Sequence, residues 1–371
     1  MIDMPAQRSR TLTFSPTHPS PFFATVRKRV NAYFADNHLS PNANPAMWTK
    51  AGGFLAAYAL LYGLILSNHF APGTMLALAM LLGACAAFVG FNVAHDAVHG
   101  AFSPHPWVNR LLGYSFYLLG ASPYVWRIMH NVVHHSFTNI PGHDEDIDIA
   151  PGLIRLDPTD KRHGWQRYQH LYAFPLYGLT SLSWVLRKDF RKLFQAKIGQ
   201  QDNTTHAPHQ YVTLFATKLA YYGLFLALPM LVLEVAWWQV VLGFVAMHVV
   251  EGLVLGLVFQ LAHVVEGTSF PVPTAEGSIE EAWAVHQLQT TANFAPRSRL
   301  AAFLCGGLNR QIEHHLFPKV CHIHYPALTA IVRATAREHG LPYLESASFG
   351  SALRSHYRLL KRMGRAQQVT G

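Results

Sequence analysis

The sequence predicts an all-α integral membrane protein with four transmembrane helices in two hairpins and a helical cap on the cytoplasmic side. Two observations predict this fold class. Half of the 371 residues are hydrophobic and only 13% are charged, whereas soluble domains carry about 25% charged residues. The chain also contains four long apolar stretches in two closely spaced pairs, and a helix needs about 20 apolar residues to cross a membrane.

The four stretches are predicted spans, and their spacing sets the topology. Short connections join the members of each pair, so each pair is predicted to leave and return on the same side of the membrane. Among 29 Lys and Arg residues, only Lys218 falls inside a span. Positive charge concentrates on the cytoplasmic side, so both termini and the cap are predicted to be cytoplasmic. The predicted spans are residues 51–67, 72–94, 211–233 and 237–262.

The rest of the chain is arranged around these spans. Two aromatic segments, 107–126 and 165–186, are interrupted by Gly, Pro, Arg and Gln, and we expect them to lie at the membrane surface or partly within it. Residues 22–36 are predicted to form an amphipathic surface helix whose basic side chains face lipid headgroups. The predicted parts are a cytoplasmic N-terminal segment at 1–50, a membrane domain at 51–360 and a basic tail at 361–371.

Histidines cluster at the predicted membrane boundary in four short motifs. The motif "HDAVH" follows the second span, "HNVVHH" follows the first aromatic segment, "HVVEG" follows the fourth span, and "GGLNRQIEHHLFP" lies further along the chain. Residues four positions apart share one face of a helix, so each of the first two motifs presents a pair of imidazoles. The predicted topology places all four motifs on the cytoplasmic side. Their histidines are His95, His99, His130, His134, His135, His263, His314 and His315.

Eight imidazoles at one depth predict a site for two metal ions in the cap. A six-coordinate ion that keeps one position open takes at most five protein ligands, so eight histidines imply two ions with about four each. Neutral imidazole suits iron, copper, zinc or nickel. The chain has no H-E-x-x-H motif, and the four histidine motifs contain no thiolate, which disfavours zinc hydrolysis. Redox iron fits better, because an oxidant generated from oxygen could act on an inert lipid.

These motifs resemble the three histidine boxes of the membrane fatty-acid desaturases. The likeness is strongest to the front-end acyl-lipid type, such as Δ6 enzymes, whose third box begins with glutamine, as Gln311 does here. The stretches "LAHVVEG", "QTTANFA" and "CHIHYPAL" are also similar to that family. The resemblance runs from about residue 50 to about residue 360, which is nearly the whole predicted membrane domain.

The resemblance implies an enzyme that uses O2 and two external electrons to introduce a cis double bond into a fatty-acyl lipid or acyl thioester. It implies a di-iron centre ligated by the eight histidines, with Gln311 as a further ligand through its carbonyl oxygen or through water. The haem motif of a fused cytochrome b5 domain does not occur in the chain, so we expect a separate electron donor, either ferredoxin or cytochrome b5 with its reductase. The basic cytoplasmic face suits an acidic donor, or equally it only sets the topology.

Several polar residues beside the boxes are predicted to orient the ligands, because metal-bound imidazoles usually donate their second N–H to an acceptor. The predicted supporting residues are Asp96, Asn131, Glu266, Asn309 and Glu313. The acidic run at Asp144, Glu145, Asp146 and Asp148 either orients imidazoles as well or forms a solvated loop. We expect His286, His322 and His324 to lie outside the site.

Two other functions remain open from the sequence. The same scaffold could act as a hydroxylase, an epoxygenase or an acetylenase, because only the substrate pose would differ. A metal-binding membrane transporter or sensor is the alternative from another class, although transporters place ionisable residues near the membrane midplane, where this chain has few. No nucleic-acid-binding motif is present, so nucleic acid is not an expected partner.

Overall fold

The computed structural model of the protein describes residues 12–14, 20–147, 150–157, 160–274 and 276–367. In these ranges the chain is mostly helical. Its four longest apolar helices are long enough to cross a membrane, which confirms the predicted number of spans. These helices are Pro45–Leu66, Pro72–His99, Pro208–Val232 and Trp237–His263.

Prolines and a cap set where three of these helices begin. The first helix starts at Pro45, six residues before the predicted boundary, because Asn44 caps it. The Oδ1 atom of Asn44 accepts a hydrogen bond from the backbone N–H of Met47 over 3.0 Å. The second and third helices begin at Pro72 and Pro208, and proline is well tolerated at the first helical position because its missing N–H would be unpaired there.

The second apolar helix changes its winding just before the first histidine motif. It is α-helical over Pro72–Val89, forms a π-helical turn over Gly90–Ala94, and becomes α-helical again over His95–His99. π-Turns inside helices occur mostly at functional sites. The fourth apolar helix, Trp237–His263, ends on a histidine, so histidines stand at the ends of two adjacent apolar helices.

The remaining regular structure is short. Three pairs of two-residue strands occur in the described residues, two of which join distant loops; an all-α prediction omits them because such pairs leave no periodic pattern in the sequence. The pairs are Thr13–Phe14 with Ser278–Ile279, Lys197–Ile198 with Gln201–Asp202, and Asn293–Phe294 with Glu345–Ser346. The other α-helices are Pro21–Asp36, Pro106–Gly113, Pro123–Trp126, His135–Phe137, Gln169–Gly178, Thr180–Ser183, Asp189–Phe194, Trp283–Thr290, Arg299–Leu304, Gln311–Leu316, Tyr325–Glu338 and Phe349–Arg365; the 3-10 helices are Tyr114–Leu119, Gly164–Tyr168 and His322–His324, and further π-helical segments are Arg127–His134, Trp184–Lys188 and Gly223–Ala227.

The two aromatic segments are broken helices. In the first segment, Gly120 adopts a φ of 70° and separates the 3-10 helix from the helix that begins at Pro123. In the second, Pro175 lies within Gln169–Gly178, and a new short helix begins at Thr180. Neither segment forms one continuous helix of spanning length.

The second and fourth apolar helices touch backbone to backbone. A Cβ atom added at Gly83 would lie 2.0 Å from the carbonyl oxygen of Met247, so only glycine permits this approach. The buried residues around this contact belong to the largest apolar core of the described chain. This close packing fixes the relative position of the two helices that end in histidines.

The cation that lies inside a predicted span is paired rather than free. Lys218 is buried, and its Nζ atom lies 2.8 Å from Oδ2 of Asp189 and 2.9 Å from the carbonyl oxygen of Trp184. A buried charge is tolerated only when it is paired and hydrogen-bonded. The pair joins the third apolar helix to the second aromatic segment.

The N-terminal helix Pro21–Asp36 is amphipathic, but its apolar face packs on protein. Its buried side chains lie in one core with residues of the helix Tyr325–Glu338. At the edge of this contact Arg29 forms two hydrogen bonds with the carboxylate of Glu338, at 2.9 and 2.7 Å. Arg29 therefore faces this carboxylate, whereas the sequence analysis placed it toward lipid headgroups.

We predict that Gly83→Ala destabilises the protein by about 1–3 kcal/mol, the usual cost of overpacking a core. The added methyl group would force the second and fourth apolar helices apart. The measurement is the midpoint of thermal unfolding in detergent, with Gly63→Ala as the control, because a Cβ atom at Gly63 meets nothing within 4 Å. Equal midpoints for the two variants would contradict the proposed contact.

Candidate metal centre

Eight buried histidines from four separate segments meet at one place in the structure. Two come from the end of the second apolar helix, three from the segment 127–137, one from the end of the fourth apolar helix and two from the helix Gln311–Leu316. The structure thus brings together all the histidines that the sequence analysis selected: His95, His99, His130, His134, His135, His263, His314 and His315.

The π-helical winding of Arg127–His134 explains how three neighbouring histidines share one face. In a π-helix the hydrogen bonds join residues five positions apart, so positions i+4 and i+5 flank position i. The ring centroids of His134 and His135 lie 5.0 and 4.8 Å from that of His130. An α-helix would turn His135 away from the other two.

The histidines form overlapping groups of the size that a metal ion requires. Potential ligand atoms lie within 4.8 Å of one another in three sets, which together contain all eight residues. His314 and His315 each belong to two sets, so the groups are adjacent. The sets are His95, His99, His130 and His314; His134, His263 and His315; and His135, His314 and His315.

Most of these rings have a nitrogen without a hydrogen-bond partner, and this nitrogen is usually Nε2. Within the described ranges, the Nε2 atoms of five of the histidines are buried and have no hydrogen-bond partner. Leaving a buried polar atom unpaired costs about 1–3 kcal/mol, and a cation between the rings would remove this cost. The five residues are His95, His99, His263, His314 and His315.

Two carboxylates from the acidic run hold the second histidine motif. The Nδ1 atoms of His134 and His130 lie 2.8 Å from Oδ2 of Asp144 and 2.9 Å from Oδ2 of Asp146. Asp144 also accepts a hydrogen bond from the backbone N–H of Asn139 over 2.8 Å. These contacts place the Nδ1 proton and leave Nε2 as the available ligand atom. Asp148 lies outside the described residues.

Neutral groups hold three further rings. The Nδ1 atom of His315 lies 2.7 Å from Oε1 of Gln287, and Nδ1 of His314 lies 3.1 Å from the hydroxyl of Tyr325. The carbonyl oxygen of Thr290 lies 3.2 Å from Nδ1 of His263. The sequence analysis did not select Gln287 or Tyr325, although Tyr325 falls in the "CHIHYPAL" stretch.

The protonation states also favour metal binding. Burial, reinforced by the neighbouring imidazoles, lowers the pKa of His130, His135, His314 and His315 well below the usual value. These rings are therefore neutral at pH 7, and neutral imidazole is a ligand for iron, copper, zinc and nickel. Burial opposes ionisation of Asp144 as well, but the neighbouring His134 holds the pKa of this carboxyl below its ordinary value.

Known proteins share this chain's sequence over most of its length. Residues 71–347 match the family described as fatty acid desaturase. The chain belongs to the fatty acid desaturase family. It is 37% identical over 347 residues to the sn-1 linoleoyl-lipid 6-desaturase of Synechocystis sp., covering 93% of this chain and 96% of that protein. It is 35% identical over 366 residues to the acyl-lipid (8-3)-desaturase of Physcomitrium patens, covering 96% and 74%.

Membership of this family confirms the resemblance to front-end desaturases and identifies the chain as an enzyme that desaturates fatty acids. A relative from Arthrospira platensis, also named sn-1 linoleoyl-lipid 6-desaturase, is 34% identical over 342 residues, covering 92% of each chain. The family favours an enzyme over the transporter or sensor considered from the sequence. The four apolar helices agree with the membrane location of desaturases.

Two of the predicted supporting residues of this desaturase form hydrogen bonds with groups outside the eight histidines. Asp96 accepts hydrogen bonds from Nδ1 and the backbone N–H of His322, at 2.8 and 3.2 Å, while it lies 3.9 Å from Nδ1 of His95. Asn131 donates to the carbonyl oxygen of Val98 over 3.0 Å. Asp96 thus secures the turn after the third box, and Asn131 joins the first two boxes.

The other three predicted supporting residues do not contact the histidines of the site. Glu266 is exposed and lies 3.9 Å from Arg358, so its predicted role is corrected. The side chain of Asn309 donates to the carbonyl oxygen of Ala295. Glu313 accepts hydrogen bonds from the hydroxyl of Tyr343 (2.6 Å) and from Nδ2 of Asn293 (2.9 Å), and so anchors the third-box helix.

The remaining polar residues have different environments. Gln311 is buried, and its Oε1 atom has no hydrogen-bond partner among the described residues; its ligand role stays a prediction. His322 bonds Asp96, and Nε2 of His322 lies 3.1 Å from Nζ of Lys50. His324 contacts the carbonyl oxygen of Asn42. The side chain of His286 is buried, and this burial lowers its pKa to about 4.

We predict that Asp144→Asn lowers the metal affinity of the desaturase about 10- to 100-fold, the usual effect of losing an outer partner of a ligating histidine. The amide keeps the size of the carboxyl group but loses the charge that faces His134. The measurement is the metal retained after dialysis against graded chelator concentrations. Glu266→Gln is the matched control, because Glu266 is exposed, and it should retain metal like the wild type. Equal retention by Asp144→Asn would contradict the prediction.

Proposed function

We propose that this desaturase introduces a cis double bond into a fatty-acyl chain with two iron ions, O2 and two external electrons. One observation carries the proposal: eight buried imidazoles bring potential ligand atoms within 4.8 Å of one another in adjacent groups, and six of these rings have a buried nitrogen with no hydrogen-bond partner among the described residues. The reaction converts two neighbouring CH2 groups into CH=CH, and the two hydrogen atoms removed combine with O2, two electrons and two protons to form two water molecules. When bound, the iron pair would supply the oxidising power that this reaction requires.

We propose that one ion lies among His95, His99, His130 and His314, and that the other lies among His134, His263 and His315. His135 stands between the groups, since its ring centroid lies 4.8 Å from that of His99 and 4.4 Å from that of His315. It can therefore complete either set. Gln311 is proposed as a further ligand, through its buried carbonyl oxygen or through water.

The protein's own contribution is to hold these rings and to exclude water. Asp144 and Gln287 fix the Nδ1 protons of two rings and leave Nε2 available. The indole of Trp126 stacks on His130 with ring centroids 4.1 Å apart. Such aromatic packing keeps water away from the site, and a dry, rigid site limits the reaction to the carbon atoms that the protein presents.

We propose that the four apolar helices form two hairpins with the histidine site and both termini on the cytoplasmic side. The two short connections contact each other: Nδ2 of Asn68 donates to the carbonyl oxygen of Val232, and its Oδ1 accepts from the backbone N–H of Glu234. This contact supports a common end for both connections, with the histidine-bearing helix ends opposite. The scarcity of Lys and Arg at the connections supports a cytoplasmic location for the site.

The names of the relatives suggest the carrier of the acyl chain. Their names describe acyl-lipid desaturases, and we propose that this chain also acts on an acyl group esterified in a lipid. An acyl thioester is the alternative carrier. The two electrons are proposed to come from a separate protein, either ferredoxin or cytochrome b5 with its reductase.

We predict that the purified enzyme holds about two iron ions per chain. We also predict that His315→Ala abolishes oxidation while the protein remains membrane-inserted. His315 belongs to the set proposed for the second ion, together with His134 and His263, so its loss removes a ligand from that ion. Elemental analysis and turnover with a reductase are the measurements. The control is His209→Ala, since His209 is exposed. A content of one zinc ion, or turnover by His315→Ala, would refute the proposed centre.

We predict that cells which produce the enzyme together with a suitable reductase gain a fatty acid with one additional cis double bond. The product and the position of the bond are read by gas chromatography with mass spectrometry. The matched control is a strain that produces His315→Ala. A hydroxylated or epoxidised product would favour the alternative oxidations on the same scaffold.

A further inference from the structure

A cavity of about 340 Å³ lies beside the histidine cluster. An apolar wall includes Trp126, Leu255 and Phe259, and a cationic wall is formed by side chains from the segment Trp184–Lys188 and the helix Asp189–Phe194. The carboxylates of Asp144, Glu145 and Asp146 also line the cavity. The volume falls in the range of small-molecule sites, which combine apolar walls with a few polar groups. The cavity therefore has the character of a site for an amphipathic ligand.

The apolar wall adjoins the histidines. Trp126 stacks on His130, and the ring centroid of Phe259 lies 6.0 Å from that of His130. Asp146, which lies 2.9 Å from Nδ1 of His130, also lines the cavity. An apolar chain in the cavity would thus lie within a side chain's width of the proposed metal centre.

Two of the four cationic side chains on the cationic wall are available for a ligand. Lys188 forms an ion pair with Asp146, and Lys192 forms one with Glu145; both carboxylates belong to the acidic run. Arg187 and Arg191 are exposed and form no ion pair with any residue that the structure describes. They stand four positions apart, which places their guanidinium groups on the same side of the segment.

This cationic wall lies beside the start of the third apolar helix. The ring of Phe194 packs on that of Tyr211, and the ring of Phe190 on that of Phe215, each with centroids 5.5 Å apart. Tyr211 and Phe215 belong to the first turns of the third apolar helix, Pro208–Val232. The arginines are therefore close to the depth at which lipid phosphate groups lie.

We infer that Arg187 and Arg191 bind the phosphate of the acyl carrier, while its acyl chain enters the cavity past Trp126 and Phe259. This inference rests on the proposed function and specifies its substrate class as phosphate-bearing carriers. Guanidinium groups bind phosphate oxygens through paired hydrogen bonds, whereas an uncharged sugar headgroup gains little from them. The phosphate could belong to a phospholipid or to acyl-coenzyme A.

Equilibrium binding to the purified holoenzyme in detergent tests this site. The probes are phosphatidylglycerol, monogalactosyl diacylglycerol and acyl-coenzyme A that carry the same tritiated acyl chain. The test variant is Arg187→Gln with Arg191→Gln. The control variant is Arg358→Gln with Arg362→Gln, which removes two exposed arginines at the same spacing from the helix Phe349–Arg365.

We predict that the wild type and the control variant bind at least one phosphate-bearing probe more tightly than the galactolipid. The test variant should lose about 10-fold or more of that affinity, with its galactolipid binding unchanged. Tight binding of phosphatidylglycerol alone identifies a phospholipid, and tight binding of acyl-coenzyme A alone identifies the thioester; either supports the inference. Turnover should show a raised KM with kcat retained.

Two results would overturn the inference. One is equal affinity of the test and control variants for every probe. The other is normal lipid binding by the test variant with slow reduction by the electron donor, which would assign the arginines to donor docking. Binding is measured without turnover, so it separates a failure of this site from a failure of the proposed iron chemistry, which would appear in metal content and products instead.

Discussion

The burial of eight imidazoles around one small volume is the constraint on which the rest of the structure depends. Neutral rings with unpaired Nε2 atoms are costly inside a protein, and rings this close cannot all be protonated without strong repulsion. A cation between them resolves both problems. The surrounding protein must then hold the rings in place whether or not the cation is bound, which explains why the Nδ1 atoms of His130 and His134 have carboxylate partners.

The supporting contacts come from segments that are distant in sequence, so the site and the fold form together. Asn139 adopts a φ of 59°, donates its backbone N–H to Asp144 and donates its side chain to the carbonyl oxygen of His263. It thereby joins the acidic loop to the end of the fourth apolar helix. Glu313 and Asn293 similarly connect the third-box helix to a strand pair. Removing one such contact would therefore displace a histidine of the site and not only the loop that makes the contact.

The sequence predicted the parts of this arrangement that repeat along the chain. Apolar runs of spanning length and histidines four positions apart are local patterns, and these led to the four helices and the histidine motifs. Contacts between residues that are distant in sequence were not predictable in the same way. Asp144 and Glu266 are both carboxylates near a histidine motif, yet only Asp144 contacts a ring, because the turn at Asn139 directs it inward. Gln287 carries no local pattern that would distinguish it from a solvated amide.

The position of the site at the helix ends follows from the chemistry of its substrate. An acyl chain is stable only in apolar surroundings, while its carrier remains at the polar surface, so the reacting carbons must be reached where the two environments meet. The cavity has this character, because Leu255 and Phe259 stand on one wall and Arg187 and Arg191 on the other. A site at the membrane midplane would require the polar carrier to leave water. Histidines at the ends of apolar helices avoid that cost.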